Sequence, residues 1–236
     1  MSSAAPSGPE VSVLIPAYNE EQTLEVVLRK VSAMRLSKEL LVVDDGSTDG
    51  TRALLARLAD ELPIQIITHP RNLGKGQAIR SALAASHGRF LLIQDADFEY
   101  DPDDYPALLK PLLEERAPIV YGSRFLGPHR ASYFWHRLGN GLITFLVNVL
   151  FNASLTDVET GYKAFRRDLA ERVRLRSAGF EFEVEFTCKL LRLGHTIFEV
   201  PVSYYGRSYA EGKKITWRDG VRALWVILCC RLNPHY

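Results

Sequence analysis

Residues 40–51 read Leu-Leu-Val-Val-Asp-Asp-Gly-Ser-Thr-Asp-Gly-Thr. An apolar, partly β-branched run is the signature of a buried strand, and it breaks off abruptly at Asp44, Asp45 and Gly46, which are turn formers. The stretch that follows, to residue 60, spaces its apolar positions as an amphipathic helix does. Ser47, Thr48 or Asp49 is expected to supply the N-cap. A strand, a carboxylate-bearing turn and a helix in immediate succession form half of a βαβ unit.

Working outward, the same unit recurs through the first half of the chain. Strands are expected at 11–15, 39–43, 64–68, 90–94 and 119–122, with helices at 21–34, 48–60, 75–86 and 104–115. Regular alternation of this kind predicts an α/β fold around a mostly parallel sheet. The second half is less regular. It reads as an apolar helix at 135–151, a strand at 162–165, a helix at 183–193, a strand at 197–203, a polar loop at 204–214 and a last helix from Thr216. With no internal repeat and no linker, residues 11–236 are expected to form a single domain on one continuous sheet behind a loose tail at 1–10.

Composition narrows the function classes. Hydrophobic residues make up 47% and charged residues 24%, which excludes a disordered or fibrous chain. The formal net charge of +1 conceals an asymmetry: residues 1–120 hold 12 Lys+Arg against 18 Asp+Glu, and residues 121–236 hold 17 against 10. An acidic half suits a cation, and a basic half suits phosphates or an anionic lipid surface. No nucleic-acid partner is expected. Cys188, Cys229 and Cys230 do not make a disulfide framework, and a reducing compartment fits them. The first ten residues lack the apolar stretch of a signal peptide. The longest apolar runs fall short of the roughly 20 residues that span a bilayer.

In a parallel α/β sheet, ligands bind beyond the carboxyl ends of the strands. Those ends carry Pro16-Ala17-Tyr18-Asn19-Glu20, Asp44-Asp45-Gly46-Ser47-Thr48-Asp49 and Asp95-Ala96-Asp97-Phe98-Glu99. One such segment is an ordinary turn and cap, but three on one edge point to a site. If the backbone stays extended, Asp95, Asp97 and Glu99 share one side and form a cluster of hard oxygen donors. Mg²⁺ or Mn²⁺ with substrate phosphates would balance that charge and neutralise a departing diphosphate. No GxGxxG follows the first strand, which argues against a dinucleotide-binding dehydrogenase.

The ordered segments PAYNE (16–20), VVDDGSTDGT (42–51), RNLGKGQA (71–78), QDADFE (94–99), YGSRF (121–125), ETGYKAF (159–165) and EVPVSYYGRSYAEGKK (199–214) resemble the GT-A fold inverting glycosyltransferases of the dolichol-phosphate-mannose synthase type. The resemblance covers nearly the whole chain, from about residue 11 to about residue 222. It implies a Rossmann-like half at 11–122 that binds a nucleotide-sugar donor, merged with an acceptor-binding half at 123–236 around one mixed, mostly parallel sheet. Pro16, Tyr18, Glu20, Val43 and Asp45 would hold base and ribose, and Asp95 and Ala96 would lie near ribose and sugar. Asp97 would bind the metal, with Glu99 and Asp95 completing the set. Arg124, Arg207 and Lys213 match the positions that bind diphosphate and sugar. Where characterised relatives carry Gln, this chain has Glu99, which leaves one more negative charge to balance.

A phosphate monoester acceptor is already partly ionised near pH 7 and needs no strong protein base. Asp157 is the carboxylate expected near the acceptor, either as a catalytic group or in a structural role, as a cap or the partner of an arginine. Arg130 and Arg137 are weaker candidates for its phosphate, and His136 and His195 read as structural. The helix containing Phe134, Trp135, Leu138, Leu142, Phe145 and Leu146 is either interfacial or core. Many relatives append membrane-spanning segments that this sequence lacks. The expectation is therefore a cytoplasmic enzyme held peripherally at the cytoplasmic face of a membrane, directly or through a small anchoring partner. The leading donor and acceptor are GDP-mannose and dolichyl or undecaprenyl phosphate. UDP-glucose or UDP-GlcNAc with a lipid-phosphate or saccharide acceptor is the alternative, and an inactive nucleotide-sugar-binding subunit is the rival from another class.

Overall fold

Hydrogen bonds along the chain assemble one seven-stranded sheet, seen in a computed structural model that describes residues 8–130, 133–207, 216–233 and 236. β1 (Val11–Ala17) sits between β2 (Lys38–Asp44) and β4 (Phe90–Ile93), parallel to both. β3 (Ile64–Thr68) extends the sheet beyond β2. The chain moves outward from β1 to β2 and β3 and then returns to β4 on the other side, so the switch in strand order falls beside β1. β5 (Ile119–Ser123) and β7 (Phe198–Pro201) are parallel to each other. β6 (Lys163–Arg166) runs antiparallel between β4 and β5 and joins the two halves into one mixed sheet.

Alternation along β1 and β2 divides the core between the two faces of the sheet. Val11, Val13, Ile15, Leu40 and Val42 pack under α1 (Leu24–Ala33), α2 (Thr51–Ala59) and α4 (Tyr105–Leu113). Leu14, Leu41, Val43 and Ile93 pack under α3 (Lys75–Ala85), α6 (Arg167–Arg172) and α7 (Phe182–Arg192). Truncating any one of these fully buried side chains to Ala would cost about 2–5 kcal/mol. A third, smaller cluster gathers Ile143 and Val147 of α5 (Phe134–Phe151), Val184 and Cys188 of α7, and Val226 and Cys230 of α8 (Trp217–Leu232).

Helix starts depart in part from expectation: Asp49 accepts from the Thr51 N–H at 3.0 Å, but other turn side chains bind the neighbouring turn instead of the helix. α2 begins at Thr51 with Gly50 at the N-cap and no side-chain cap. Ser47 Oγ and Thr48 Oγ1 accept instead from Asn19, at 3.0 and 3.3 Å, and stitch this turn to the one after β1. Glu21 likewise accepts from the Gly50 N–H at 2.7 Å, and α1 starts three residues later than its pattern implies, at Leu24.

The long apolar helix is core on one side only. Ile143, Thr144 and Val147 are buried, whereas Phe134, Trp135, Leu138, Leu142, Phe145 and Val149 are exposed, as are Trp217, Val221, Trp225 and Leu228 of the neighbouring α8. Among the described residues, no helix is long and apolar enough to cross a membrane.

Candidate active site

The strand ends beside β1 open into a cleft of about 1270 Å³. Pro16, Tyr18, Glu20, Asp45, Asp95, Ala96, Asp97, Glu99, Arg124 and Arg207 all line it. Val43 does not, because strand alternation turns its side chain into the core beneath α3. Asp157 does not line it either. Lys213 lies outside the described residues.

Asp45 organises the floor of the cleft. Its carboxylate accepts from the Leu73 and Gly74 N–H groups at 2.9 and 2.8 Å and lies 2.7 Å from His69 Nδ1. Gly74 stands at φ 97°, in the left-handed region that L side chains avoid, and the Ala178 carbonyl crowds the place its Cβ would take. The loop after β3 is thereby pinned against the end of β2 and delivers Lys75 to the cleft at the start of α3.

The acidic segment after β4 does not stay extended. Ala96 and Asp97 form a turn, and Phe98 takes a left-handed conformation, φ 59°. The three carboxylates are consequently divided, and the single cluster expected from an extended backbone is corrected to two. Asp95 Oδ1 pairs with Lys75 Nζ at 2.7 Å, and Lys75 also reaches Glu183 Oε1 at 2.9 Å. Burial works against this ammonium, but Asp95 and Glu183 outweigh it and hold its pKa well above the usual range. Asp97 and Glu99 instead meet Arg207, which also holds Glu20. Its Nη2 lies 3.0 Å from Asp97 Oδ2, its Nη1 3.1 Å from Glu20 Oε2, and its backbone N–H donates to Glu99 Oε1 at 2.6 Å. Tyr204 adds an O–H bond to Glu99 at 2.7 Å.

Glu20, Asp97 and Glu99 thus share a single guanidinium. Burial raises the Asp97 pKa, Asp95 and Glu99 raise it further, and Arg207 only partly offsets them, so the carboxyl is pushed up to about 7. Among the described residues no three His, Cys, Asp or Glu side chains are placed together to hold a metal ion, since Asp95 is turned to Lys75. The donor set nonetheless fits one: hard carboxylate oxygens in excess of their cations are what Mg²⁺ or Mn²⁺ takes together with phosphate oxygens.

Across the cleft, Arg124 at the end of β5 is locked to Asp157. Asp157 accepts from the Arg124 backbone N–H at 3.0 Å and from Nε and Nη2 at 2.7 Å each, and it has no solvent exposure. The arrangement makes Asp157 the partner of an arginine, one of the two roles its sequence context allowed. Two residues further on, Glu159 lines the cleft, most of its surface buried. The sequence reading passed over Glu159, Lys75 and Asn140. The signal for Glu159 was its spacing of two from Asp157; for Lys75, its position in the first turn of a helix that opens at the strand ends.

Comparison with known proteins places the chain. The family model for glycosyl transferase family 2 matches residues 12–174. The polyprenol monophosphomannose synthase of Mycolicibacterium smegmatis is 30% identical over 215 residues, covering 85% of this chain and 79% of that one. The low-salt glycan biosynthesis hexosyltransferase Agl6 of Haloferax volcanii is 31% identical over 221 residues, covering 91% of this chain but only 52%, about half, of its own length. The crystal structure of glucosyl-3-phosphoglycerate synthase from Mycobacterium tuberculosis, in complex with Mn²⁺, UDP and glucosyl-3-phosphoglycerate, shares the fold, with a TM-score of 0.73 over 95% of this chain and 80% of that one at 24% identity.

Proposed function

The chain belongs to glycosyl transferase family 2, and from that premise we propose that it transfers a hexose, with inversion, from a nucleotide-sugar donor to a polyprenyl phosphate. GDP-mannose is the leading donor. One observation carries the proposal: the cleft has a carboxylate-rich wall at the strand ends and an arginine-bearing wall opposite, and it opens beside the exposed aromatic faces of α5 and α8.

The donor side is Pro16, Tyr18, Glu20 and Asp45 for the nucleoside, with the backbone around Val43, and Asp95 and Ala96 for ribose and sugar. Asp97 and Glu99 would hold Mg²⁺ or Mn²⁺, and Asp95, paired with Lys75, supports that pair from the side. The cation would neutralise the charge that develops on a departing nucleoside diphosphate. Arg207 and Lys213 are suited to the diphosphate, because a guanidinium already poised at three carboxylates can exchange them for phosphate oxygens. Arg124, fixed by Asp157, presents a rigid hydrogen-bond-donating edge to the acceptor side.

The acceptor half supports docking on a membrane surface. Trp135, Trp217 and Trp225 are exposed by 77, 75 and 67%, and Arg137, Arg218 and Arg222 stand among the exposed apolar side chains of the same two helices. Aromatics beside cationic side chains are the composition of an interfacial face. A peripheral position on the cytoplasmic side, by this face or with a small anchoring partner, would bring a lipid-borne phosphate to the cleft. The test is incubation with labelled GDP-mannose, UDP-glucose and UDP-GlcNAc against a short polyprenyl phosphate, with and without Mn²⁺. Cation-dependent mannosylation of the lipid phosphate, with inverted anomeric configuration, is expected. Transfer only to a hydroxyl acceptor, or none without a lipid partner's hydroxyl, would refute the acceptor assignment.

A further inference from the structure

The arginine-bearing wall of the cleft holds two carboxylates two residues apart, and they are used differently. Asp157 is spent on Arg124, one charge against one, and has no contact with the cleft. Glu159 faces the cleft. With its amide oriented so that both ends find a partner, Asn140 of α5 links it to the same arginine: Nδ2 then donates to Glu159 Oε2, and Oδ1 accepts from Arg124 Nη2 at 3.3 Å. Because Arg124 is already matched, the Arg124–Asp157 pair brings little net charge, and an ionised Glu159 would add a negative charge to the side of the cleft where a phosphate has to enter.

Resting on the assignment of a phosphate-ester acceptor made above, we propose that Glu159 is the acceptor-binding carboxyl of this site and meets the phosphate as a neutral hydrogen-bond donor, so that acceptor binding takes up one proton. A protonated carboxyl has one O–H to give and no charge to repel a dianion. The surroundings already favour that form. Burial pushes the Glu159 pKa up to about 7, with Asp157 and Glu183 adding to the rise and Arg124 and Lys163 opposing it. A phosphate dianion alongside raises it further. Other titratable or charged groups line the same cleft: His129 and Arg130 after β5, His136 on α5, Glu181 before α7, and Asp219 and Arg222 on α8. The bond changes of transfer are untouched. An acceptor phosphate oxygen forms the bond to the anomeric carbon while the bond from that carbon to the diphosphate breaks. The electron pair leaves on the nucleoside diphosphate, and the proton stays on Glu159.

Calorimetry of a short isoprenyl phosphate binding to the full chain, in buffers of different ionisation enthalpy, tests the idea without turnover. Between pH 7 and 9 the ester, whose second pKa is about 6, is a dianion throughout. Uptake of one proton then makes affinity fall by up to about tenfold per pH unit above the carboxyl's pKa. The wild type should take up close to one proton at pH 8. Glu159→Gln keeps a donor and loses the charge, so it should bind with no proton uptake and a nearly flat profile. His136→Gln should keep the wild-type slope. A Glu159→Gln variant with the wild-type proton uptake would overturn the proposal. So would one that binds normally but no longer transfers, because Glu159 would then be accepting a proton. If the wild type binds GDP with Mn²⁺ yet binds no isoprenyl phosphate at any pH, the acceptor assignment itself fails and takes this inference with it.

Discussion

Arg124 and Arg207 both hold carboxylates in the same cleft, but in opposite ways. Arg124 meets Asp157 one to one, through three hydrogen bonds, with the carboxylate fully buried and the arginine nearly so at the edge of the cleft. Arg207 stands between Glu20, Asp97 and Glu99, outnumbered, with its Nε buried and lacking a hydrogen-bond partner among the described residues. The first arrangement is complete and needs nothing added. The second has more negative charge than its arginine can balance, and burial together with that excess raises the pKa of Asp97. A matched buried pair is architecture; a mismatched cluster at strand ends is a binding site for positive charge.

The sharpest way to break this comparison is at the matched pair. Asp157→Ala leaves a buried guanidinium without its partner and should destabilise the protein by about 3–5 kcal/mol in chemical denaturation. Asp157→Asn, which keeps two acceptor lone pairs, should lose less. A folded Asp157→Ala of wild-type stability would mean that the pair is not architecture. At the mismatched cluster the balance should reverse: Arg207→Ala should lower turnover about 100-fold, the scale of removing one group from a developing charge. Its melting temperature in saturating Mn²⁺ should stay near that of the wild type. Equal losses of activity and stability would erase the distinction between the two arginines.

Titration sharpens the contrast further. Asp97 and Glu159 are both pushed up to about 7, so between the ordinary carboxylate pKa of about 4 and pH 7 the folded, metal-free protein binds more protons than the unfolded chain. Stability contributed by these groups is therefore present below that window and is lost as pH rises through 7. Thermal melts in EDTA should show a lower melting temperature at pH 8 than at pH 5.5, and Asp97→Asn should shrink the difference. Mn²⁺ should raise the melting temperature more at pH 8 than at pH 5.5. The smallest effect on the fold is expected on the outer face. Replacing Trp135, Leu142 and Phe145 with polar residues removes only exposed side chains, so the melt should hardly move. Vesicle flotation and turnover on a long polyprenyl phosphate should fall, and turnover on a short soluble acceptor should survive.

The parallel half of the sheet was legible because each βα unit spells itself locally: β3 lies at 64–68, where its pattern puts it, and β1, β2 and β5 each run one or two residues further. The antiparallel insertion of β6 was not, because an apolar run carries no sign of strand direction or partner. The acidic edge could be located but not shaped. Nothing in Asp95-Ala96-Asp97-Phe98-Glu99 announces that Phe98 will turn left-handed and separate Asp95 from its neighbours. On the acceptor side, the presence of a carboxylate was readable in 157–159, but which of two residues faces the cleft depends on Arg124, which is more than thirty positions away. The Val43 side chain is turned from the cleft for a related reason: alternation in β2 fixes which side chains share a face, and tertiary packing decides which face is covered.

The central claim is that Asp97 and its neighbours are a site for a divalent cation that holds a nucleotide sugar. It is tested most directly by calorimetric titration of GDP into the wild type and Asp97→Asn, each with Mn²⁺ and with EDTA, alongside a thermal melt of both. The wild type should bind GDP about 100-fold or more tightly with Mn²⁺, the scale of several kcal/mol for metal-borne charge stabilisation. Asp97→Asn should lose that gain while melting no lower than the wild type in EDTA. GDP affinity that is the same with and without Mn²⁺ in the wild type, or a Mn²⁺ effect that survives in Asp97→Asn, would contradict it.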